Sequence, residues 1–290
     1  MVGEGMMDMS RSDLSSRGRT WFELLSSSTG ELKDGPRTVL AADAHLGRDV
    51  ARFLAVVPDP ANRFPRARHG EVGLDEGWAL AREVRDAMQT DGGEPARPII
   101  AIVDVASQAY GRREEMLGIH LACAAAADAY ASARLAGHPV IALLVGKAMS
   151  GAFLAHGYQA NRILALDSPE VQIHAMSKQA AARVTRRCVE ELEQLGERIP
   201  PMAYHVRAFA LLGLLHRLIG GVNADSPSVV DVERVRKELL DSVADARKGS
   251  PDLFRRLLGD AARQTRAASI EVRRRLAEQW SGPPHAPPGT

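Results

Sequence analysis

Two segments of the sequence place small and polar residues where a predicted buried strand gives way to a predicted helix. Residues 107–109 follow the apolar run 98–104, and residues 146–152 follow the apolar run 140–145. The first N–H groups of a helix lack intrahelical partners and carry partial positive charge. Small side chains leave such amides open to a negatively charged oxygen, so the second segment predicts an oxyanion hole with Ser150, Gly151 and Ala152 as donors.

The small residues of the second segment have another reading, because Gly and Ala also permit close packing of a helix on a sheet. Gly146 is expected to allow a sharp turn. The sequence contains neither GxGxxG nor GxxxxGK[ST]. Dinucleotide and P-loop sites therefore lose their main support.

Histidines are the natural candidates for proton transfer near neutral pH. His174 ends a predicted strand, 170–174, close to both segments if the strands are parallel. His156 lies in the helix that follows the second segment. Lone histidines are often structural, so both readings stay open for each. Lys147 is a candidate for binding a carboxylate, with a surface lysine as the alternative.

Short β-branched runs alternate with Ala-rich stretches, which predicts an α/β fold. Parallel strands would bring both segments to one sheet edge. We expect strands at 38–42, 51–57, 98–104, 140–145, 162–166 and 170–174. We expect helices at 74–88, ended by Asp91-Gly92-Gly93, and at 114–136, 203–218 and 230–247.

Composition narrows the function classes. The chain has 290 residues, 45% of them hydrophobic, and a formal net charge of +1, so no global charge favours nucleic acid or an anionic membrane. The two cysteines, Cys123 and Cys188, supply neither a disulfide framework nor zinc-site spacing. Apolar stretches are roughly half a bilayer span, and the N-terminus lacks an export signal. We expect a cytoplasmic protein without a metal.

Longer motifs carry a family resemblance. The segments KAMSGAFLAHGYQANRILAL, VQIHAMSKQAAARVTRR and IPPMAYHVRAFALLGLLHRLIG resemble the crotonase-like superfamily, in its carboxyltransferase branch. More narrowly, they resemble the gamma subunits of biotin-independent malonate decarboxylases. The resemblance runs from about Val39 to Arg247 and leaves the Arg-rich end beyond Ser250 unplaced.

The resemblance implies a crotonase-like ββα superhelix and a decarboxylase that acts on malonyl thioester. The thioester would be held on the CoA-derived prosthetic group of an acyl carrier protein, and a related beta subunit would share the active site. This chain would bind no cofactor of its own and no biotin. The resemblance also implies a second group of oxyanion donors, the amides around Ser107, Gln108 and Ala109. Gly146, Lys147, Tyr110 and Arg112 are then candidates for substrate binding, with Arg112 placed to hold the phosphate of the carrier arm.

The second segment departs from biotin-using carboxyltransferases, which commonly read Gly-Glu-Gly-Gly-Ser-Gly-Gly there. This chain has Gly146-Lys147-Ala148-Met149-Ser150-Gly151-Ala152. Side chains replace glycines that would let a ring lie against backbone, so we expect a site that admits biotin less readily.

Other functions remain open at this point. An acyl-CoA hydratase or isomerase would need carboxylates near the second segment, and residues 146–161 contain none. Another carboxyltransferase subunit and a non-catalytic scaffold are further alternatives. A Clp-type serine peptidase would use Ser150 and His174, but aligning Gly-Ala-Phe puts Met149 at the nucleophile position.

The expected domain organisation has four parts. Residues 17–249 form the crotonase-like carboxyltransferase domain, and residues 250–281 form an Arg-rich helical extension. Residues 1–16 and the Pro/Gly tail 282–290 are expected to be disordered. For the arginines beyond Ser250 we favour a solvated helix face or a partner-docking arm over nucleic-acid binding. They are also a candidate basic patch for an acidic carrier.

Overall fold

The computed structural model describes residues 17–90 and 95–281. The predicted disordered ends, and the predicted helix stop at 91–93, lie outside these residues. A seven-stranded sheet with the order β1-β2-β3-β4-β5-β7 forms the centre, and β6 pairs with the end of β4. The strands are β1 (Val39–Leu46), β2 (Asp49–Val56), β3 (Ile99–Val105), β4 (Val140–Met149), β5 (Arg162–Leu166), β6 (Gln172–His174) and β7 (Arg217–Ile219). Strands β1 and β2 are antiparallel, and all other pairs are parallel.

The central strands β3 and β4 account for the continuous apolar runs of the sequence. Every residue of β3 is buried, as are the first seven of β4, because both faces of the sheet are covered. The predicted strands at 98–104 and 140–145 are therefore confirmed. The predicted end of the second strand at residue 145 is wrong, because β4 continues to Met149 and pairs there with β6.

The helices cover the sheet, and small residues allow two of them to approach closely. A Cβ on Gly77 of α2 would lie 2.7 Å from the backbone of Ala122 in α4, so these helices approach closely. The helices are α1 (Arg17–Ser26), α2 (Leu74–Gln89), α3 (Arg112–Met116), α4 (Ile119–Leu135), α5 (Ser150–Ala155), α6 (Lys178–Thr185), α7 (Val189–Arg198), α8 (Val206–Leu211), α9 (Val229–Lys248), α10 (Asp260–Thr265) and α11 (Ala267–Ser281).

Two predicted helices differ from the structure. The predicted helix 114–136 is divided into α3 and α4 at Gly118, whose φ of +85° ends the first helix. The predicted helix 203–218 is wrong, since α8 ends at Leu211 and β7 follows. Gly213, at φ +78°, turns the chain between them. A short apolar run has no period that separates a helix from a buried strand, which is why the sequence misled here.

The segment 250–281 packs against the sheet domain. A Cβ on Gly213 would lie 2.2 Å from the backbone oxygen of Arg256, and the guanidinium of Arg256 donates to the carbonyls of Tyr158 and Ala160, both at 2.8 Å. Within residues 17–90 and 95–281, no helix is long and apolar enough to cross a membrane. The same residues contain no group of three or more His, Cys, Asp or Glu placed to hold a metal ion.

Candidate active site

The two predicted donor segments meet at one edge of the sheet. The backbone N–H of Gly151, in the first turn of α5, donates to Oε1 of Gln108, which follows β3, at 2.8 Å. Strands β3 and β4 are parallel neighbours, so their carboxyl ends lie side by side. The expected convergence of the two segments is confirmed.

The sharp turn into α5 occurs at Ser150 and not at Gly146. Ser150 has a φ of +56°, a left-handed conformation that costs a non-glycine residue about 1 kcal/mol. Its hydroxyl donates to the carbonyl oxygen of Ala175 at 2.8 Å, which helps to hold this conformation. Gly146 has a different role from the one expected, because it lies in the extended strand β4.

A buried carboxylate explains the glycine at position 146. A Cβ there would lie 2.0 Å from Oδ1 of Asp104. The Asp104 carboxylate accepts from the backbone N–H of Lys147 at 3.0 Å and of Gly18 at 3.3 Å. Asp104 therefore fixes the backbone just before the site. The sequence search for carboxylates in residues 146–161 missed it because it belongs to β3.

The first segment has fewer available amides than expected. The N–H of Ala109 donates to the carbonyl of Val72 at 2.8 Å, and the N–H of Tyr110 donates to the carbonyl of Gln108 at 2.9 Å. The Ser107 hydroxyl also donates to the Gln108 carbonyl, at 2.9 Å. The backbone donors expected around residues 107–109 are thus reduced to Ser107 and Gln108.

His174 lies beside the second segment, paired in register with Met149. Its ring stacks on Tyr204 with the centroids 4.0 Å apart. Nδ1 accepts from the N–H of Met176 at 3.3 Å, so Nε2 carries the proton of the neutral ring. Burial lowers the pKa of His174 below its ordinary value, which keeps the ring neutral at pH 7.

The Ser150 hydroxyl is not arranged as a nucleophile. Its bond goes to the carbonyl of Ala175, and Nδ1 of His174 is taken by Met176. Among the described residues, no hydrogen bond joins Ser150 to His174. A serine peptidase requires that bond between nucleophile and base, so the geometry disfavours this alternative.

A groove of about 640 Å³ opens beside these groups, within the size range of small-molecule sites. Ser150, Gly151 and His174 line it, together with apolar side chains of α5 and α8. The C-terminal extension lines it as well, through Thr265, Arg266 and Ser269. This wall has no signal in the sequence, because residues more than 90 positions further along the chain form it.

Four other candidate residues are placed differently. Ala152 is buried within α5. Lys147 is half-buried in β4, whereas Tyr110 and Arg112 are exposed at the start of α3. None of the four is among the residues that line the groove. The structure thus joins Gln108, Ser150, Gly151 and His174, and leaves Tyr110 and Arg112 on a neighbouring surface.

His156 is structural in its surroundings. It is fully buried, its Nδ1 lies 2.9 Å from the hydroxyl of Tyr130, and its Nε2 lies 2.9 Å from the carbonyl of Ile102. The carbonyl can only accept, so Nε2 carries the proton and Tyr130 donates to Nδ1. These bonds tie the end of α5 to β3 and α4.

The burial of His156 predicts acid sensitivity. Burial lowers its pKa from 6.5 to about 4, so between these values the unfolded chain binds a proton that the folded chain does not. The free energy of unfolding should therefore fall by about 3 kcal/mol as the pH drops through this window. Urea unfolding at pH 7 and pH 4.5 measures the difference.

A control separates the contributions to this acid sensitivity. Burial also lowers the pKa of His216 to about 4, so both histidines act in the same window. His156→Gln should remove part of the pH dependence, and His216→Gln should remove a smaller part because that ring is less buried. An unchanged pH dependence in His156→Gln would refute this assignment.

Comparison with known proteins identifies the class and then the family. The fold is that of a crotonase-like carboxyltransferase: transcarboxylase 12S, 19% identical, superimposes with a TM-score of 0.55 over 73% of this chain and 36% of that chain, a likeness of fold alone. The family model of the malonate decarboxylase gamma subunit matches residues 67–280. The chain belongs to the malonate decarboxylase gamma subunit family.

Solved structures of high identity agree. A chain of a Pseudomonas malonate decarboxylase hetero-tetramer, in complex with coenzyme A, is 56% identical, with a TM-score of 0.87 over 92% of this chain and 100% of that chain. A chain of the Pseudomonas MdcD-MdcE hetero-dimer is 55% identical, with a TM-score of 0.84 and the same coverage. The family match reaches residue 280, so the Arg-rich extension that the sequence resemblance left unplaced belongs to it.

A more distant relative is named for a different activity. The malonyl-S-ACP:biotin-protein carboxyltransferase MADD of Malonomonas rubra is 35% identical over 199 residues. The alignment covers 67% of this chain and 64% of that relative, so the chain spans less than two thirds of its length.

Proposed function

We propose that the chain is the gamma subunit of a biotin-independent malonate decarboxylase and contributes to decarboxylating a malonyl thioester held on an acyl carrier protein. The observation that carries this is the meeting of Gly151 and Gln108 at the sheet edge, beside a groove of about 640 Å³. Family membership supports the choice of substrate.

The proposed reaction breaks the bond between the carboxylate carbon and the methylene carbon of the malonyl group. CO2 leaves, and the electron pair of that bond forms the enolate of an acetyl thioester, with negative charge on oxygen. Protonation of the methylene carbon then gives the acetyl thioester. The enolate oxygen is where charge develops, so donors placed there lower the barrier.

We assign the hydrogen-bond donors for the enolate oxygen to backbone amides at the ends of the two segments. The amides of Ser150, Gly151 and Ala152 form one group, and those of Ser107 and Gln108 the other. In this structure, Oε1 of Gln108 accepts from the Gly151 amide. A substrate oxygen would replace Oε1 there and leave Nε2 of Gln108 free to donate as well. Each such donor is worth ~3 kcal/mol, or roughly a hundredfold or more in rate.

We assign proton delivery to His174, whose neutral ring carries its proton on Nε2 and lines the groove. Transfer of the Nε2 proton to the methylene carbon would leave an imidazolate, which solvent water would reprotonate with release of hydroxide. His174→Phe keeps a ring to stack on Tyr204 but removes the donor, so kcat of the assembled complex should fall about a hundredfold. An amide N–H is far less acidic than an imidazole N–H, so His174→Gln, which keeps only a hydrogen-bond donor, should be impaired to a similar extent. Equal rates for wild type and His174→Phe would contradict the assignment.

We propose that the complete site lies between this chain and a beta subunit. The Pseudomonas neighbours are subunits of a hetero-dimer and a hetero-tetramer, which supports such a partner. The exposed Tyr110 and Arg112, with Lys147, would then contact the arm of the carrier protein. Residues 17–249 would form the catalytic domain, and residues 250–281 would complete the groove. We place the complex in the cytoplasm.

The assembly experiment combines purified chain, beta subunit and malonyl-loaded carrier. We expect the two subunits to elute together from a size-exclusion column, and we expect CO2 release only when both are present. Full activity without this chain would reject a catalytic contribution. Alternatives of the scaffold type predict normal activity for site variants that still assemble.

A second candidate function is transfer of the carboxyl group to a biotin-protein. The relative MADD, a biotin-protein carboxyltransferase that is 35% identical, favours it. The second segment argues against this function. Ala148 and Met149 have buried side chains in β4, where glycines would leave room for a biotin ring. The two functions differ in whether turnover needs a biotin-protein as acceptor.

A further inference from the structure

We propose that Arg266 of the C-terminal extension binds the anionic part of the acyl substrate in the groove. This rests on the proposed function, because it names the group that recognises the substrate of the same site. The ligand chemistry is an anionic oxygen group, supplied either by the phosphate of a phosphopantetheine arm or by the free carboxylate of the acyl group.

Most arginines of the extension already contact a carboxylate, a backbone carbonyl or an aromatic ring. Arg274 and Arg275 pair with Glu271 on their own helix, and Arg255 pairs with Asp245. Arg256 donates to backbone carbonyls, and the guanidinium of Arg273 lies over the ring of Phe254. The extension is therefore not a general basic patch, which weakens the expectation that it attracts a carrier by its charge alone.

Arg266 lines the groove, and in the described part of the chain no carboxylate lines the groove beside it. Among the described residues, no carboxylate forms an ion pair with Arg266, and the residues that line the groove include no Asp or Glu. Arg266 is the one arginine or lysine in that lining. The same groove contains Gly151 and His174, so an anion bound by Arg266 shares a cavity with the proposed donors.

The backbone of Arg266 is held at the wall of the groove. Its N–H donates to the carbonyl of Ala262 at 2.8 Å, and the Ala262 side chain is fully buried. The neighbouring Thr265 hydroxyl donates to the carbonyl of Leu211, in α8, at 2.9 Å. The planar guanidinium extends from this anchored backbone and can bind a phosphate or carboxylate through paired N–H groups.

Three unreactive probes distinguish the sources of the anion. Acetyl-pantetheine carries no anionic group, acetyl-phosphopantetheine carries only a phosphate, and succinyl-pantetheine carries only a carboxylate. Calorimetry on the assembled complex gives the dissociation constant of each. In Arg266→Gln, we expect one of the two anionic probes to bind roughly ten- to hundredfold more weakly, with acetyl-pantetheine within about twofold of wild type.

Matched variants keep the result interpretable. Arg266→Lys retains the charge and should recover part of the affinity, whereas the exposed Arg263→Gln on the same extension should bind all probes as wild type does. Co-elution with the beta subunit verifies assembly of each variant. Equal affinities of wild type and Arg266→Gln for all probes, or an equal loss for all of them, would overturn the proposal.

The outcomes also separate this inference from the proposed function. If the wild-type complex decarboxylates malonyl carrier and Arg266→Gln binds every probe normally, only the inference fails. If the wild-type complex does not decarboxylate, the proposed function fails, and the probe affinities still decide whether Arg266 binds an anion. Failure of every probe to bind the wild-type complex would show that the partner subunit fills the groove, which also overturns the inference.

Discussion

Replacing Gly151 with leucine should lower kcat of the assembled complex by roughly a hundred- to a thousandfold, the loss expected for one oxyanion donor. A Cβ at this position would lie 3.2 Å from Oε1 of Gln108, and the rest of the leucine would cover the N–H to which Gln108 is bonded. The interaction is strongest in the transition state, so KM should change much less than kcat. Steady-state CO2 release measures both.

The control for this variant is Gly220→Leu, since a Cβ on Gly220 meets no atom within 4 Å and its φ is not positive. We expect it to assemble and react as wild type does. Gly151→Leu that co-elutes with the beta subunit and keeps full turnover would remove Gly151 from the catalytic machinery. Loss of assembly in Gly151→Leu calls for Gly151→Ala, in which the small Cβ displaces Gln108 by a few tenths of an ångström and kcat should fall less.

Replacing Gly146 with alanine should have the largest effect on stability, about 3 kcal/mol or more. The new Cβ would lie 2.0 Å from Oδ1 and 2.4 Å from Cγ of Asp104. Asp104 has little room to move because it is buried and holds the amides of Lys147 and Gly18. Overpacking and loss of these buried hydrogen bonds therefore add. Urea unfolding of the chain measures the effect.

Two comparisons test the cause. Gly259→Ala adds the same methyl group where nothing lies within 4 Å, and it should cost less than 1 kcal/mol. In a double-mutant cycle, Asp104→Ala removes the clash but also the acceptor, so Gly146→Ala should cost much less in that background. The same cost in both backgrounds would mean that the Asp104 carboxylate is not the reason for glycine at 146.

Much of the fold could be predicted from sequence because the signals are local. The runs 98–103 and 140–145 are apolar without interruption and only six residues long, which is typical of a strand covered on both faces. Parallel neighbours then place the two segment ends together, which the 2.8 Å bond from Gly151 to Gln108 confirms. The strand 162–166 has the predicted bounds, and the helix predicted at 74–88 ends one residue later, at Gln89.

The details that the sequence did not provide depend on distant contacts. Position 146 requires glycine because of Asp104, which is 42 positions earlier in the chain. The backbone N–H of Ala109 is not available as a donor because it is bonded to the carbonyl of Val72. The residues near Leu218 do not by themselves distinguish a helix from the short strand β7. Pairing with the distant strand β5 makes this segment a strand. Tyr110 and Arg112 share a loop with Gln108 in sequence, yet only Gln108 reaches the edge of the groove, through its bond to Gly151.

One measurement tests directly whether this chain and a beta subunit remove CO2 from malonyl carrier without biotin. Carboxyl-labelled malonyl carrier is incubated with the assembled pair in the presence of excess avidin, and labelled CO2 and acetyl carrier are counted. We expect one CO2 and one acetyl carrier per malonyl carrier, at a rate that avidin leaves unchanged. No release of labelled CO2 until a biotin-protein is supplied, with the label then found on that protein, would contradict it.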